Sequence, residues 1–197
     1  MAIPNLISSA VLLLAISSAA LAGECSPIGL DISPRDVTRL ENLKETRSSG
    51  IAAALLSTSA SDRADVAKLF TLGTGAPKMV RTGKFKCRTI KLGGLTELTS
   101  YRFFDCRITQ ADGGYNIEKL TGSQRFTGKL IPQDGAIAYV GAGHYGYEEP
   151  NIYLGDSDRD QVGCLSEALG KPGSYLLELP KPFFESVHDV IEFVPAY

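Results

Sequence analysis

Lys84-Phe85-Lys86-Cys87-Arg88-Thr89-Ile90 and Tyr101-Arg102-Phe103-Phe104-Asp105-Cys106-Arg107-Ile108 are the two stretches whose reading decides the fold. Both are rich in aromatic and β-branched side chains, which suit a pleated, half-buried surface. Gly93 and Gly94 mark a loop between them. Alternation along a strand puts Phe85, Cys87 and Thr89 on one face, and Lys86, Arg88 and Ile90 on the other. On the second strand Phe104, Cys106 and Ile108 share a face, and Phe103, Asp105 and Arg107 share the opposite one. A hairpin about the loop sets Cys87 opposite Cys106, within roughly 5 Å, which suits a disulfide. The same register sets Arg88 opposite Asp105. The cysteine face is apolar and reads as core, whereas the arginine face is mixed.

The extended pattern continues to the C-terminus. Strands are expected near 84–92, 101–109, 115–121, 124–131, 136–142, 151–154, 174–179 and 187–194. Turn signals separate them, among them Ala111-Asp112-Gly113-Gly114, Thr121-Gly122-Ser123 and Pro132-Gln133-Asp134-Gly135. Short strands joined by short turns indicate an antiparallel meander, and about eight of them suffice to close an up-and-down barrel. A helical layer on an open sheet is the competing architecture. The fold class is therefore mainly β (α+β), a barrel-like meander with an N-terminal helical subdomain. That subdomain covers residues 23–80 and the β-rich part 81–197. Asp31-Ile32-Ser33-Pro34 opens a helix, with a polar cap followed by proline at an early helical position. Val37, Leu40 and Leu43 or Lys44 continue it, and Ser48-Ser49-Gly50 is expected to break it. Ile51 to Leu56 reads as an Ala-rich apolar helix. Ser61 is expected to cap a third, with Val66, Leu69 and Phe70 on its apolar face. Gly73, Gly75 and Pro77 end it.

The first 22 residues carry no charged side chain and close on Ala20-Leu21-Ala22. That is the layout of a secretory signal peptide with an A-x-A cleavage site. It predicts a single mature domain, 23–197, located in the periplasm or secreted, with no membrane span after cleavage. The n-region lacks Lys and Arg, which leaves an uncleaved anchor as the competing reading, and the interspersed Pro4, Asn5 and serines make it a poor one. Glu24 stands between the small residues and Cys25, so Cys25 reads as a disulfide cysteine and not a lipid attachment site. Outside the cytoplasm four cysteines can oxidise. With Cys87 and Cys106 paired, Cys25 and Cys164 remain to tie the mature N-terminus to a late loop. No CxxC occurs, which argues against a zinc ribbon or a thioredoxin-like site. The net charge of −2 offers no basic field for nucleic acid.

The chain resembles a bacterial family. The resemblance rests on Gly83-x-x-x-Cys87-Arg88-Thr89-Ile90-Lys91, then Tyr101-x-Phe103-Phe104-x-Cys106-Arg107-Ile108. Lys119-x-Thr121-Gly122-Ser123-Gln124-Arg125-x-x-Gly128 follows, then Leu179-Pro180-x-Pro182, Glu185-Ser186 and Val190-Ile191-Glu192. These motifs are similar to those of domain of unknown function 4893, over roughly residues 31–195. The resemblance implies an exported bacterial protein of this size and carries no activity with it.

Four basic residues form the candidate ligand site. Arg88, Arg107, Lys119 and Arg125 would converge on an anion, because the planar guanidinium fork suits a carboxylate or phosphate. The plainer reading is cross-strand ion pairing, Arg88 with Asp105 and Arg107 with a neighbour such as Glu118. Asp156-Ser157-Asp158-Arg159-Asp160 with Glu167 at the twelfth place has the carboxylate spacing of a calcium loop, but Gln161 replaces the turn glycine. It reads as a solvated acidic loop, and no metal site is assigned. The two histidines, His144 and His188, do not make a zinc motif. Ser123 lacks the glycine of a nucleophile elbow, so a Ser123–His144 hydrolase is a distant reading. No catalytic residue and no cofactor is assigned. The expected function is a non-enzymatic binding or accessory protein for a small apolar or anionic ligand. The alternative is an envelope protein-interaction module using the tyrosine-rich stretch from Tyr139 to Tyr153.

Overall fold

A computed structural model describes residues 24–71, 73–183 and 185–196. The signal segment expected over residues 1–22 lies outside them. Three helices come first: α1 (Pro34–Glu41), α2 (Leu43–Ala54) and α3 (Ala60–Thr71). Strands β1 (Thr74–Gly75), β2 (Gly83–Leu92), β3 (Leu98–Ser100), β4 (Phe104–Ala111), β5 (Gly114–Lys119) and β6 (Gln124–Gln133) follow. The chain ends in β7 (Ala136–Tyr145), β8 (Asp160–Ala168), β9 (Tyr175–Pro180) and β10 (His188–Pro195). Apart from the short β1 and β3, each strand pairs antiparallel with the next, and β10 returns to β2. The result is a closed eight-stranded antiparallel barrel, mostly β with the helices in the N-terminal region.

Alternation decides what fills the barrel. Phe85, Cys87, Cys106, Ile108, Ile117, Phe126, Tyr139, Leu165, Leu177, Ile191 and Phe193 form one buried cluster from all eight strands. The ring edges of Phe85 and Phe126 meet Phe193 with centroids 6.2 and 6.4 Å apart, an edge-to-face arrangement that aromatic rings favour. Val80 joins this cluster, and the next residue, Arg81, donates its N–H to the Tyr175 hydroxyl at 2.7 Å. The segment before β2 thereby closes one end of the barrel.

The helices cover one outer side. α2 packs on β2, β9 and β10, α1 on β8 and α3 on β3. Strands β9 and β10 are consequently buried on both faces, while β4 and β5 alternate buried and exposed. Polar contacts of charged side chains dock each helix. Arg39 of α1 pairs with Asp36 at 2.7 Å and donates to the carbonyls of Pro180 and Asp160. Arg47 of α2 makes a two-pronged contact with Glu178, which also meets the buried His188 at 3.2 Å. Asp65 of α3 accepts from Arg88, whose other edge reaches Glu192.

Both expected cysteine pairs lie at disulfide distance, Cys25–Cys164 with Cα atoms 5.6 Å apart and Cys87–Cys106 at 5.8 Å. The register of the second differs from expectation. Cys87 lies opposite Phe104 and Phe85 opposite Cys106, so the bridge is diagonal. The cause is β3, which occupies the C-terminal half of β2 at Ile90–Leu92 and leaves β4 only Gly83–Cys87. Asp105 therefore faces Lys86, with which it pairs at 2.5 Å, and not Arg88.

Three further expectations are corrected. Ser48-Ser49-Gly50 does not break the helix: α2 runs through it, because Gly50 lets the helix close on the barrel. A Cβ there would lie 2.9 Å from the Cβ of Leu92. The third helix is capped by Ser59 and not Ser61, the Ser59 hydroxyl accepting from the Asp62 N–H at 3.3 Å. Residues 151–154 form no strand, and the eighth barrel strand is Asp160–Ala168 instead. Cys164 thus sits on a strand, and Glu167 is drawn away from the acidic loop to accept from the Gly173 N–H.

Candidate functional site

Alternate strands of an up-and-down barrel run in opposite directions. The C-terminal ends of β2, β5, β7 and β9 and the N-terminal ends of β4, β6, β8 and β10 therefore gather at one end. There the barrel is not filled. A cavity of about 350 Å³ opens between these strand ends, within the size range of small-ligand sites. Phe126, Leu179 and Ile191 belong both to the packed core and to the cavity wall, so they are its floor. Above them the inner face turns polar with Lys91, Lys119, Gln124, Gln161 and Asp189.

Register explains this placement. Lys119 lies directly opposite Cys106, and Lys91 opposite Asp189, so all share the inward face of the cysteines. The charges are unevenly balanced. Lys91 Nζ pairs with Glu185 Oε2 at 2.8 Å, and burial, which alone would lower its pKa, is outweighed by Asp189 and Glu185, which hold it up. Asp189 is buried, and desolvation pushes its carboxyl up to about 6 despite Lys91 and the 2.5 Å hydrogen bond donated by the Ser186 hydroxyl. Lys119 is only 8% exposed, and among the described residues no carboxylate pairs with it. Its Nζ stands 4.3 Å from the centroid of the Phe104 ring. Burial and the neighbouring Arg125 and Lys91 charges pull its pKa down to about 8.

Lys119 and Arg125 are held by one turn. The Arg125 Nε donates to the Gly122 carbonyl at 3.0 Å. Gly122 has φ of +97°, and a Cβ there would lie 3.0 Å from the Phe104 ring and 3.5 Å from Lys119 Cε. Only glycine accommodates both the left-handed backbone and the ring. Across the mouth the β9–β10 loop is pinned at Glu185, whose φ is +74° and whose carbonyl accepts from the Leu95 N–H at 3.0 Å. A non-glycine residue in that conformation is held by its surroundings, here by Leu95 and the Lys91 ion pair.

The family model described as Domain of unknown function (DUF4893) matches residues 30–193. The chain belongs to this family. No curated protein and no solved structure matches it. The motifs that carry the family resemblance separate into two roles in the fold. Lys119, Gly122, Ser123, Gln124, Arg125, Glu185 and Lys91 stand at or around the cavity mouth, whereas Arg88, Arg107 and Glu192 lie on the barrel exterior.

The four basic residues of the sequence reading therefore do not converge. Lys119 and Arg125 line the cavity. Arg88 bridges Asp65 and Glu192 beneath α3, and Arg107 pairs with Glu118 at 2.7 Å, directly across from it on β5. Face parity sets Lys119 apart: Arg88 and Arg107 stand one residue from the inward cysteines, whereas Lys119 sits opposite one. Arg125 also stands one residue from an inward side chain, Phe126, and borders the cavity from the strand end beside the Gly122 turn. Lys91, Asp189 and Phe104 were missed as site residues, although their spacing from Cys87, and its barrel neighbours, carried the signal. Ser123 and His144 both border the cavity but make no hydrogen bond to each other. His144 Nδ1 meets the Tyr145 carbonyl oxygen, and the buried Nε2 has no partner among the described residues. Among the described residues no group of three or more His, Cys, Asp or Glu side chains is placed to hold a metal ion, and no helix is long and apolar enough to cross a membrane.

Proposed function

We propose that this protein is an exported, non-enzymatic binding protein that holds a small anionic ligand with an apolar body in the mouth of its barrel. One observation carries the reading: Lys119 and Arg125 line the cavity, and among the described residues neither forms an ion pair with a carboxylate. A buried cation without a partner is costly, and a ligand carboxylate would supply the partner. The floor of Phe126, Leu179 and Ile191 suits the apolar end of such a ligand. The apolar, charge-poor start of the chain and the two disulfides support export to the periplasm or beyond.

Native mass spectrometry of the protein purified from its own periplasm, compared with the same sample denatured, tests this. A reproducible non-covalent mass, absent from a Lys119→Met/Arg125→Met variant, is the expected result, on a chain beginning near Gly23. A bare monomer under gentle ionisation contradicts it.

A second reading, an envelope interaction module, is favoured by the exposed apolar side chains near the mouth. Tyr147 is 83% exposed and stacks on Tyr145 with ring centroids 5.5 Å apart, and Ile152 is 73% exposed. Affinity capture from envelope extract with wild type and a Tyr147→Ser/Ile152→Ser variant distinguishes it: one stoichiometric partner lost in the variant supports this module.

A further inference from the structure

Two lysines point into the same mouth, and their surroundings differ. Lys91 is tied to Glu185 at 2.8 Å and faces Asp189. Among the described residues Lys119 is tied to no carboxylate; its Nζ rests on the Phe104 ring, 4.3 Å from the centroid. Arg125, a permanent cation, is anchored on the same turn, through the Gly122 carbonyl. The Lys119 amine thus lies buried at the cavity wall against an aromatic ring, and among the described residues it forms no ion pair.

We propose that Lys119 is a carbonyl-capturing amine, and that the ligand class of this site is an oxo acid whose carboxylate meets Arg125 while its carbonyl carbon meets Lys119 Nζ. This rests on the ligand-binding reading above and names the ligand's chemistry. Only a neutral amine attacks a carbonyl. Burial, and after it the neighbouring Arg125 and Lys91 charges, lower the pKa of Lys119 to about 8. At pH 7.5 roughly a quarter of it is then neutral, against about one part in a thousand for an exposed lysine of ordinary pKa. Guanidinium and amine line one cavity, and the Arg125 charge acts on Lys119, an arrangement that suits a ligand carrying both a carboxylate and a carbonyl.

The step balances without an oxidant or reductant. The Nζ lone pair forms a C–N bond as the carbonyl π pair moves to oxygen. The oxygen takes a proton shed by the nitrogen and a second from solvent water. It leaves as water while the nitrogen lone pair closes the C=N bond, and the resulting iminium gives its remaining proton to the hydroxide left by that solvent water. Amine and ketone give imine and water, reversibly.

The test uses the full mature protein with phenylpyruvate and sodium cyanoborohydride, which reduces an imine to a stable amine. 3-Phenylpropionate, of the same skeleton without the carbonyl, is the control, its binding measured by calorimetry. The expected outcome is a single adduct by intact mass, mapped by peptide sequencing to Lys119 in preference to the other nine of the ten lysines. Its rate should rise roughly 20-fold between pH 6.5 and 8.5, following the neutral fraction of the amine, and a Lys119→Arg variant should lack it. Mapping within the wild type keeps the test valid if that variant does not fold. Label spread over exposed lysines such as Lys44 and Lys68, or no label, overturns the proposal. If 3-phenylpropionate binds while phenylpyruvate leaves no adduct, carbonyl capture is wrong and the binding site stands; if neither binds, both fall.

Discussion

Lys119 and Asp189 are two buried groups whose ionisation opposes folding, and each leaves a mark on the pH dependence of stability. The Lys119 amine titrates near 8 in the fold, against an ordinary 10.5. Below pH 8 it is protonated in both folded and unfolded chains, and the folded chain carries the full penalty of a buried, unpaired cation. Between pH 8 and 10.5 only the unfolded chain holds the proton, so this group makes stability rise with pH. A Lys119→Met variant should be more stable than wild type at pH 7 by about 2–3 kcal/mol, with the gap closing toward pH 10.5. Urea melts at pH 7 and pH 10 measure it, and an unchanged gap would mean that the gain comes from burying methionine and not from removing the amine's charge. Asp189 behaves oppositely. Its carboxyl titrates near 6 when folded, above the ordinary 3.8, so the folded chain binds the extra proton between these values and stability falls as pH rises from about 4 to 6. In Asp189→Asn that slope should flatten in the same melts, and a preserved slope would assign it elsewhere.

Elements show how far a buried contact can override local propensity. Ser48-Ser49-Gly50 reads as a helix break, yet α2 continues because Gly50 is where the helix touches Leu92 and His188. Gly50→Val should therefore destabilise by about 1–3 kcal/mol through overpacking, although valine differs little from glycine in helix propensity; thermal melts that show no loss would refute the close approach. The neighbouring Arg47–Glu178–His188 cluster predicts a larger effect. Burial pushes the Glu178 carboxyl up, but hydrogen bonds with His188 and Arg47 outweigh it and hold it down. Glu178→Leu would strand the Arg47 guanidinium under α2 and should cost about 3–5 kcal/mol. Denaturant titration checks this, and a loss below 1 kcal/mol would mean that Arg47 turns to water. What was legible in the chain follows from the same contrast. Period-two alternation around Cys87 and Cys106 was enough to read the inward face, the Arg107–Glu118 pair and most strand positions. The β2–β4 register was not, because it depends on β3, a three-residue strand with no pattern of its own. Strand β8 was masked by its acidic entry, where Asp160 points outward to the Leu154 N–H while Val162 and Cys164 pack beneath α1. At the candidate site, Lys119 and Arg125 could be named but not separated from Arg88 and Arg107, since parity singles out only Lys119, and only once the register is known, while Arg125 borders the cavity because it stands at a strand end beside the Gly122 turn.

At the scale of the whole molecule, two disulfides join different parts of the architecture. Cys87–Cys106 lies inside the barrel wall, 19 residues apart in sequence, with its cysteines 0% and 1% exposed. Cys25–Cys164 spans 139 residues and ties the segment before α1 to β8, with its cysteines 8% and 7% exposed. In the chain-entropy account the long closure stabilises by about 5 kcal/mol and the short one by about 3 kcal/mol. Replacing Cys25 and Cys164 by serine should therefore cost more than replacing Cys87 and Cys106, provided that the serines of the second pair are tolerated in the core. Access gives a sharper prediction that needs no substitution. A reductant must reach a sulfur, and the Cys25–Cys164 bridge lies near the outer surface, against Leu40 and Leu43 of the helical layer. Mild reduction of the native protein, followed by alkylation and peptide mapping, should label Cys25 and Cys164 first, while Cys87 and Cys106 remain protected until the barrel unfolds. Because the cavity is built from barrel strand ends and not from the helical layer, ligand binding should survive this first reduction and be lost only with the second. Simultaneous labelling of all four cysteines would instead mean that the helical layer and the barrel open as one unit, and that the mouth depends on both.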